Sequence, residues 1–303
     1  MIMGNRIHMG GTDMRLYDVL IAPFADFAFM RRALVGSVAL ALGSGPVGLM
    51  LVLRRMSLMG DAMSHAVLPG AALGFMWFGL SLPAMSVGGF FAGVVVALLA
   101  GLATRFSNLK EDANFAAFYL MALALGVLII SKSGSQVDLV HILFGSVLAV
   151  DRAALLLMGI VSSVSLLTLA VMYRPLVLEG VDPIFLRSVG GRGGVWYLGF
   201  LMLVVLNLVA GFQSLGTLMS VGLMMLPAIS ARLWSHSIGK MLVISVTIAL
   251  ISGVVGLLLS FHFEWASGPA IILIAGLLYL VSLLFGAVGG VLTRMIRLKH
   301  FEK

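Results

Sequence analysis

Hydrophobic residues along this chain fall into nine blocks divided by short polar interruptions: 33–53, 56–80, 84–104, 113–131, 153–173, 196–212, 215–232, 241–261 and 269–292. The blocks are roughly 17 to 25 residues long and run continuously instead of alternating, which is the pattern of membrane-crossing helices and not of barrel strands. Block 215–232 is short and holds Pro227, and "LVHILFGSVLAV" at 139–150 is too short to span and reads as interfacial or re-entrant. The pattern predicts an all-α, polytopic membrane protein with about eight or nine spans. Residues 1–32 are expected to be a segment lying at the membrane surface, 33–293 the transmembrane domain, and 294–303 a basic tail.

Composition supports this. The chain has 303 residues, 61% hydrophobic and only 10% charged, with a mean hydropathy of +1.15. A soluble domain carries about a quarter charged residues, so the solvent of this surface is lipid. Lipid offers backbone groups no partners, which leaves helices or closed barrels as spanning structures. There is no cysteine, hence no disulfide and no thiolate ligand. The first residues lack the apolar run of a signal peptide.

The formal charge of +7 is spread over span ends instead of forming one block, so it does not indicate nucleic-acid binding. Arg54, Arg55, Arg105, Lys110, Arg174, Arg187, Arg192, Arg232, Lys240, Arg294, Arg297, Lys299 and Lys303 follow alternate spans. The positive-inside rule places these loops in the cytoplasm, with the N-terminus outside and the C-terminus inside.

One stretch breaks the apolar monotony: "RRMSLMGDAMSHAVLPG", 54–70. Arg54 and Arg55 mark an interface, and a helix rising about 1.5 Å per residue carries Asp61 about 10 Å, and His65 about 15 Å, into the membrane. Spacing i, i+4 sets both on one face. An ionised carboxylate facing lipid there costs at least about 2.5–3.5 kcal/mol, so the face must meet protein or water. Two readings follow from the residues: a structural Asp–His pair gluing helices, or ligands for a divalent metal such as Zn²⁺ or Mn²⁺. Two ligands are few, and a second copy across a two-fold axis supplies four. Pro69 and Gly70 just beyond are expected to break the helix. The twenty methionines are scattered without paired spacing and suit packing.

The loop at 174–195 is the longest polar interruption on the inner side. Asp182 is a good N-cap, Pro183 suits a first turn and Gly190 a helix end, which predicts a short helix from Pro183 to about Val189 or, equally, an ordinary surface turn. His262 and Glu264 fall at the outer mouth, with Asp138 and His141 in another outer segment. There is no GxxxxGK[ST] phosphate loop and no HExxH.

The stretch "RRMSLMGDAMSHAVLPGAALG" resembles the signature of the metal permeases of ATP-binding cassette importers. "VDLVHILFGSVLAV" (137–150), "LGTLMSVGLMMLPAISARL" (215–233) and "SGPAIILIAGLLYLVSLLF" (267–285) resemble further blocks of that family, in order. His141 stands where relatives often have an aromatic residue.

The resemblance implies a metal-importer permease fold in a bacterial cytoplasmic membrane, acting as a homodimer. Asp61 and His65 would be the pathway ligands for zinc, manganese or iron, and no cofactor is held permanently. ATP would be used by a separate cytoplasmic ATPase. The 183–189 helix would seat on that subunit, with Asp182 and Pro183 starting it, Phe185 and Leu186 as buried anchors and Arg187 as an ionic contact. An external binding protein would deliver metal, and His262, Glu264, Asp138 and His141 are candidates for that handover. The competing class is a proton-coupled transporter in which Asp61 and His65 also relay protons, without an ATPase.

Overall fold

The computed structural model describes residues 17–79, 81–106, 111–132, 150–188, 190–191 and 193–293. Among these the chain forms helices α1 (Ala22–Asp26), α2 (Ala28–Leu53), α3 (Ser57–Ala66), α4 (Leu68–Phe78), α5 (Leu82–Phe106), α6 (Glu111–Lys132), α7 (Arg152–Val181), α8 (Pro183–Ser188), α9 (Gly193–Leu215), α10 (Thr217–Arg232), α11 (Ile238–Phe263) and α12 (Ser267–Phe285). Seven of them are long and apolar enough to cross a membrane. The expected all-α polytopic architecture is therefore present, and each of the nine apolar blocks maps onto a helix or, in one case, a helix pair.

Three boundaries differ from the sequence pattern, and the helix break expected beside Pro69 and Gly70 is present. Block 56–80 is two helices, α3 and α4, meeting at Val67. Pro69 in the first turn of α4 has no N–H to return to the His65 carbonyl, which accepts from Val67 instead. Helix α7 does not stop near residue 173 but continues to Val181 with Pro175 inside it, so the first part of the 174–195 loop is helical. Helix α2 begins at Ala28, five residues before the expected start, and Arg31 donates from Nη1 to the Ala25 carbonyl at 2.8 Å. Helix α12 stops at Phe285. The 139–149 part of the interfacial or re-entrant segment lies outside the described residues.

Helix α2 is the centre of the bundle. Its most apolar window is 78% buried within the protein, against 17% for α6, which is largely exposed. Helix α2 packs on α7, α9, α10 and α11. Serines and glycines permit this closeness, as expected where lipid supplies no hydrophobic drive between helices. A methyl group at Gly48 would run into the Met224 carbonyl of α10. Ser162 of α7 donates to the Ala39 carbonyl of α2 at 2.7 Å. Asn207 of α9 donates to Ser165 Oγ at 2.7 Å. Helix α10, with 16 residues, spans only about 24 Å and is short of a hydrocarbon core about 30 Å thick. Its N-terminal end therefore stops inside the bundle, opposite α3.

Candidate metal-pathway site

Helix α3 starts from a tight turn. Leu51 and Val52 carbonyls accept from the amides of Met56 and Arg55, at 3.0 and 3.1 Å. That is the Schellman pattern with an arginine, not a glycine, in the left-handed position (φ 60°). Such a backbone costs a non-glycine residue about 1–2 kcal/mol. Helix α3 then runs only ten residues before the break at Val67.

Asp61 and His65 share one face of α3 as their spacing requires. His65 Nε2 lies 3.9 Å from Asp61 Oδ1, beyond hydrogen-bonding range. Two ligands about 2.1 Å from one ion stand about 3.0 Å apart at an octahedral angle and about 3.4 Å at a tetrahedral one. The pair would therefore need to close by about 0.5–0.9 Å to chelate one ion. The His65 ring stacks on Tyr119 of α6, centroids 6.1 Å apart. Its Nδ1 is buried and has no hydrogen-bond partner among the described residues. Ser64 Oγ donates to the Asp61 carbonyl at 2.7 Å, tying its hydroxyl to the helix backbone.

Both groups open on a cavity of about 300 Å³ walled by Ser64 from α3, Thr217, Leu218 and Val221 from α10, and Ile272 from α12. The short α10 positions this wall, because its first turn begins at Gly216 (φ 85°), a conformation glycine adopts without strain. The Asp61 side chain is 64% exposed and His65 24%. Among the described residues no cluster of three or more His, Asp, Glu or Cys side chains is placed to hold a metal. One chain thus offers one carboxylate and one imidazole, with oxygen but no sulfur donors on the cavity wall.

The predicted short helix is also present. Asp182 ends α7 and caps α8, its Oδ1 accepting from the Ile184 and Phe185 amides at 3.0 and 2.9 Å. Pro183 opens α8. Gly190 is left-handed (φ 78°), and the Gly191 amide closes the end on the Leu186 carbonyl at 2.8 Å. Arg187 lies in the last turn. One expected role needs correction: Leu186 is buried in its own protein, where a methyl at Gly191 would strike its side chain. The exposed apolar residues of α8 are Ile184 and Phe185, the first of which the sequence reading passed over.

At the other end of the molecule His262 is exposed, its Nδ1 donating to the Leu258 carbonyl at 2.9 Å, and Glu264 is the left-handed residue ending α11. Neither lines the Asp61 cavity. Asp138 and His141 lie outside the described residues.

Sequence reading also missed Glu179. Its carboxylate accepts from Arg54 Nη2 at 2.8 Å, joining the end of α7 to the residue that ends α2. A lone acid near the end of an apolar helix, in "LVLEGV", was the available signal.

Comparisons with known proteins identify the family. Residues 26–286 match the family model described as ABC 3 transport family. The manganese import system permease protein ScaB of Streptococcus parasanguinis is 34% identical over 272 residues, covering 87% of this chain and 94% of the relative. The chelated iron transport system membrane protein YfeD of Yersinia pestis is 31% identical, covering 89% of each. Among solved structures, PsaBC from Streptococcus pneumoniae in complex with Fab superposes with a TM-score of 0.80 at 31% identity, over 92% of this chain and 98% of the other. The chain belongs to the ABC 3 transport family.

Proposed function

We propose that this protein is the membrane permease of an ATP-driven importer that carries a divalent transition metal, manganese first, across a bacterial cytoplasmic membrane. The observation that carries the reading is Asp61: a carboxylate on a short helix of the membrane domain, 64% exposed, on the same face as His65 and beside a cavity. A charge held there without a partner is costly in lipid, and a bound dication in a shared site removes that cost.

One protomer supplies one oxygen and one nitrogen ligand. Two protomers facing each other across a two-fold axis supply four, enough to replace most of an ion's water shell while permitting release. A carboxylate and an imidazole accept zinc and manganese alike, and manganese comes first because it is named for the relative ScaB of Streptococcus parasanguinis. Zinc and iron are the competitors to be tested.

With no phosphate loop in the sequence, energy would come from a separate ATPase seated on α8. Ile184 and Phe185 are the contacts offered to it, while Asp182 and the buried Leu186 hold α8 in shape. Closure of two ATPase subunits would shift α8 and reorient the spans around Asp61 and His65, a rigid-body alternating-access step. An external binding protein would deliver the ion.

Manganese uptake into proteoliposomes tests the reading. Uptake should require the ATPase subunit and ATP, and Asp61→Ala should abolish it while ATPase association persists. ATP-independent uptake by the permease alone would support the proton-coupled alternative instead.

A further inference from the structure

Asp61 and His65 sit on a short helix that is broken at both ends. Behind it is the left-handed Arg55 turn and ahead of it the Val67 break. Its packing includes flexible groups: a methyl at Gly60 would meet the Cε atoms of Met224 and Met225 at 3.0 and 3.1 Å. Methionine ends repack at low cost, so this contact yields readily to a shift of α3. The question is what displaces it.

Arg54 answers this. Its Nη2 donates both to Glu179 Oε2 (2.8 Å) and to the Leu176 carbonyl (3.2 Å), two acceptors on the last turns of α7. Its guanidinium lies over the rings of Phe200 and Tyr197 on α9, 5.2 and 5.8 Å from the centroids, an arrangement that fixes the plane of the fork. The Arg54 and Glu179 side chains are only 11% and 15% exposed. On the far side of Glu179, α7 passes into α8 through the single residue Asp182, whose amide bonds to the Leu178 carbonyl at 2.9 Å and whose carboxylate caps α8. From α8 to Arg54 the path is thus capped helix, one helical turn and an ion pair; from Arg54 to Asp61 it is one turn and the start of α3.

We infer that the Arg54–Glu179 ion pair is the tie by which movement of α8 reaches the helix carrying Asp61 and His65, with the Arg55 turn as its pivot. This rests on the reading of α8 as the ATPase seat and of Asp61 and His65 as the metal ligands. Arg54 and Glu179 are positioning residues: they touch neither the metal nor ATP. The strain in the left-handed Arg55 backbone makes the turn a place where a modest push changes conformation.

The test is Glu179→Gln, which keeps the shape and removes the charge. In proteoliposomes holding permease, ATPase and binding protein, the ratio of manganese imported to ATP hydrolysed should fall about tenfold, in the range of ordinary coupling between sites. A ratio is insensitive to how much protein has folded, so a purely structural pair would leave it unchanged.

A second measurement does not depend on transport. The chain has no cysteine, so Leu58→Cys on α3 and Val181→Cys at the end of α7, both exposed, accept spin labels at those two positions alone. In detergent, diluted with unlabelled copies, their distance distribution should be narrow with Glu179 present and clearly broader with Glu179→Gln. An unchanged transport ratio, or an unchanged distribution, would overturn the tie. Failure of the underlying transport reading shows separately, as wild-type uptake that ignores ATP, and leaves the spectroscopic result standing on its own.

Discussion

Gly48→Ala isolates the packing on which the site's far wall depends. At Gly48 the α2 backbone crosses α10, and an added methyl would overlap the Met224 carbonyl and approach its Cγ at 2.9 Å. A carbonyl in a helix cannot swing aside as a side-chain end can, so α2 and α10 must separate. Overpacking of this kind costs about 1–3 kcal/mol. The control is Gly276→Ala in the middle of α12, where an added methyl meets nothing within 4 Å. There the gain in helix propensity of about 0.5–1 kcal/mol stands alone. Reversible unfolding in mixed detergent micelles should therefore show opposite signs: Gly48→Ala less stable than wild type, Gly276→Ala equal or more stable. Because α10 also carries Thr217 and Leu218 of the cavity wall, Gly48→Ala should weaken manganese uptake beyond its effect on protein level. A Gly48→Ala protein as stable as Gly276→Ala would refute the close crossing.

Other perturbations separate the shape of α8 from its surface. Asp182→Ala removes the acceptor for two amides and should destabilise the α8 start by about 1 kcal/mol, seen as faster hydrogen exchange at Ile184 and Phe185. Phe185→Ala, at an exposed position, should leave unfolding unchanged within about 0.5 kcal/mol and weaken ATPase association in a pull-down. Leu186→Ala should do the reverse first, costing about 2–3 kcal/mol of local stability because that side chain is buried. If Phe185→Ala and Leu186→Ala behave alike in both measurements, the division between exposed contact and internal anchor is wrong.

The helices were legible in the sequence because lipid imposes a length and an apolarity on every span, and those are local properties. The break at Val67 was legible too, since Pro69 lacks a donor wherever it is placed. The short capped helix α8 was legible from Asp182, Pro183 and Gly190, each of which acts on its own immediate backbone. Helix α7 was cut short because "YRPLVLEGV" looks like an interface. In the structure Pro175 is absorbed within the helix and Glu179 turns toward an arginine 125 residues earlier. No local window contains that partner. Leu186 went astray for a similar reason: on a six-residue helix the pattern cannot say which apolar side chain faces its own protein. At the site, spacing placed Asp61 and His65 on one face, but the opposing wall of Thr217, Leu218 and Ile272 comes from helices that only the fold brings near.

The most direct measurement is the location of the ion itself. Crystals or vitrified particles of the dimer loaded with manganese, analysed by anomalous scattering or density, should show the ion between Asp61 and His65 of one protomer and the same pair of its partner. The ligand distances should be about 2.2 Å. Manganese held elsewhere, or Asp61 turned to the acyl chains with no ion beside it, would contradict the account.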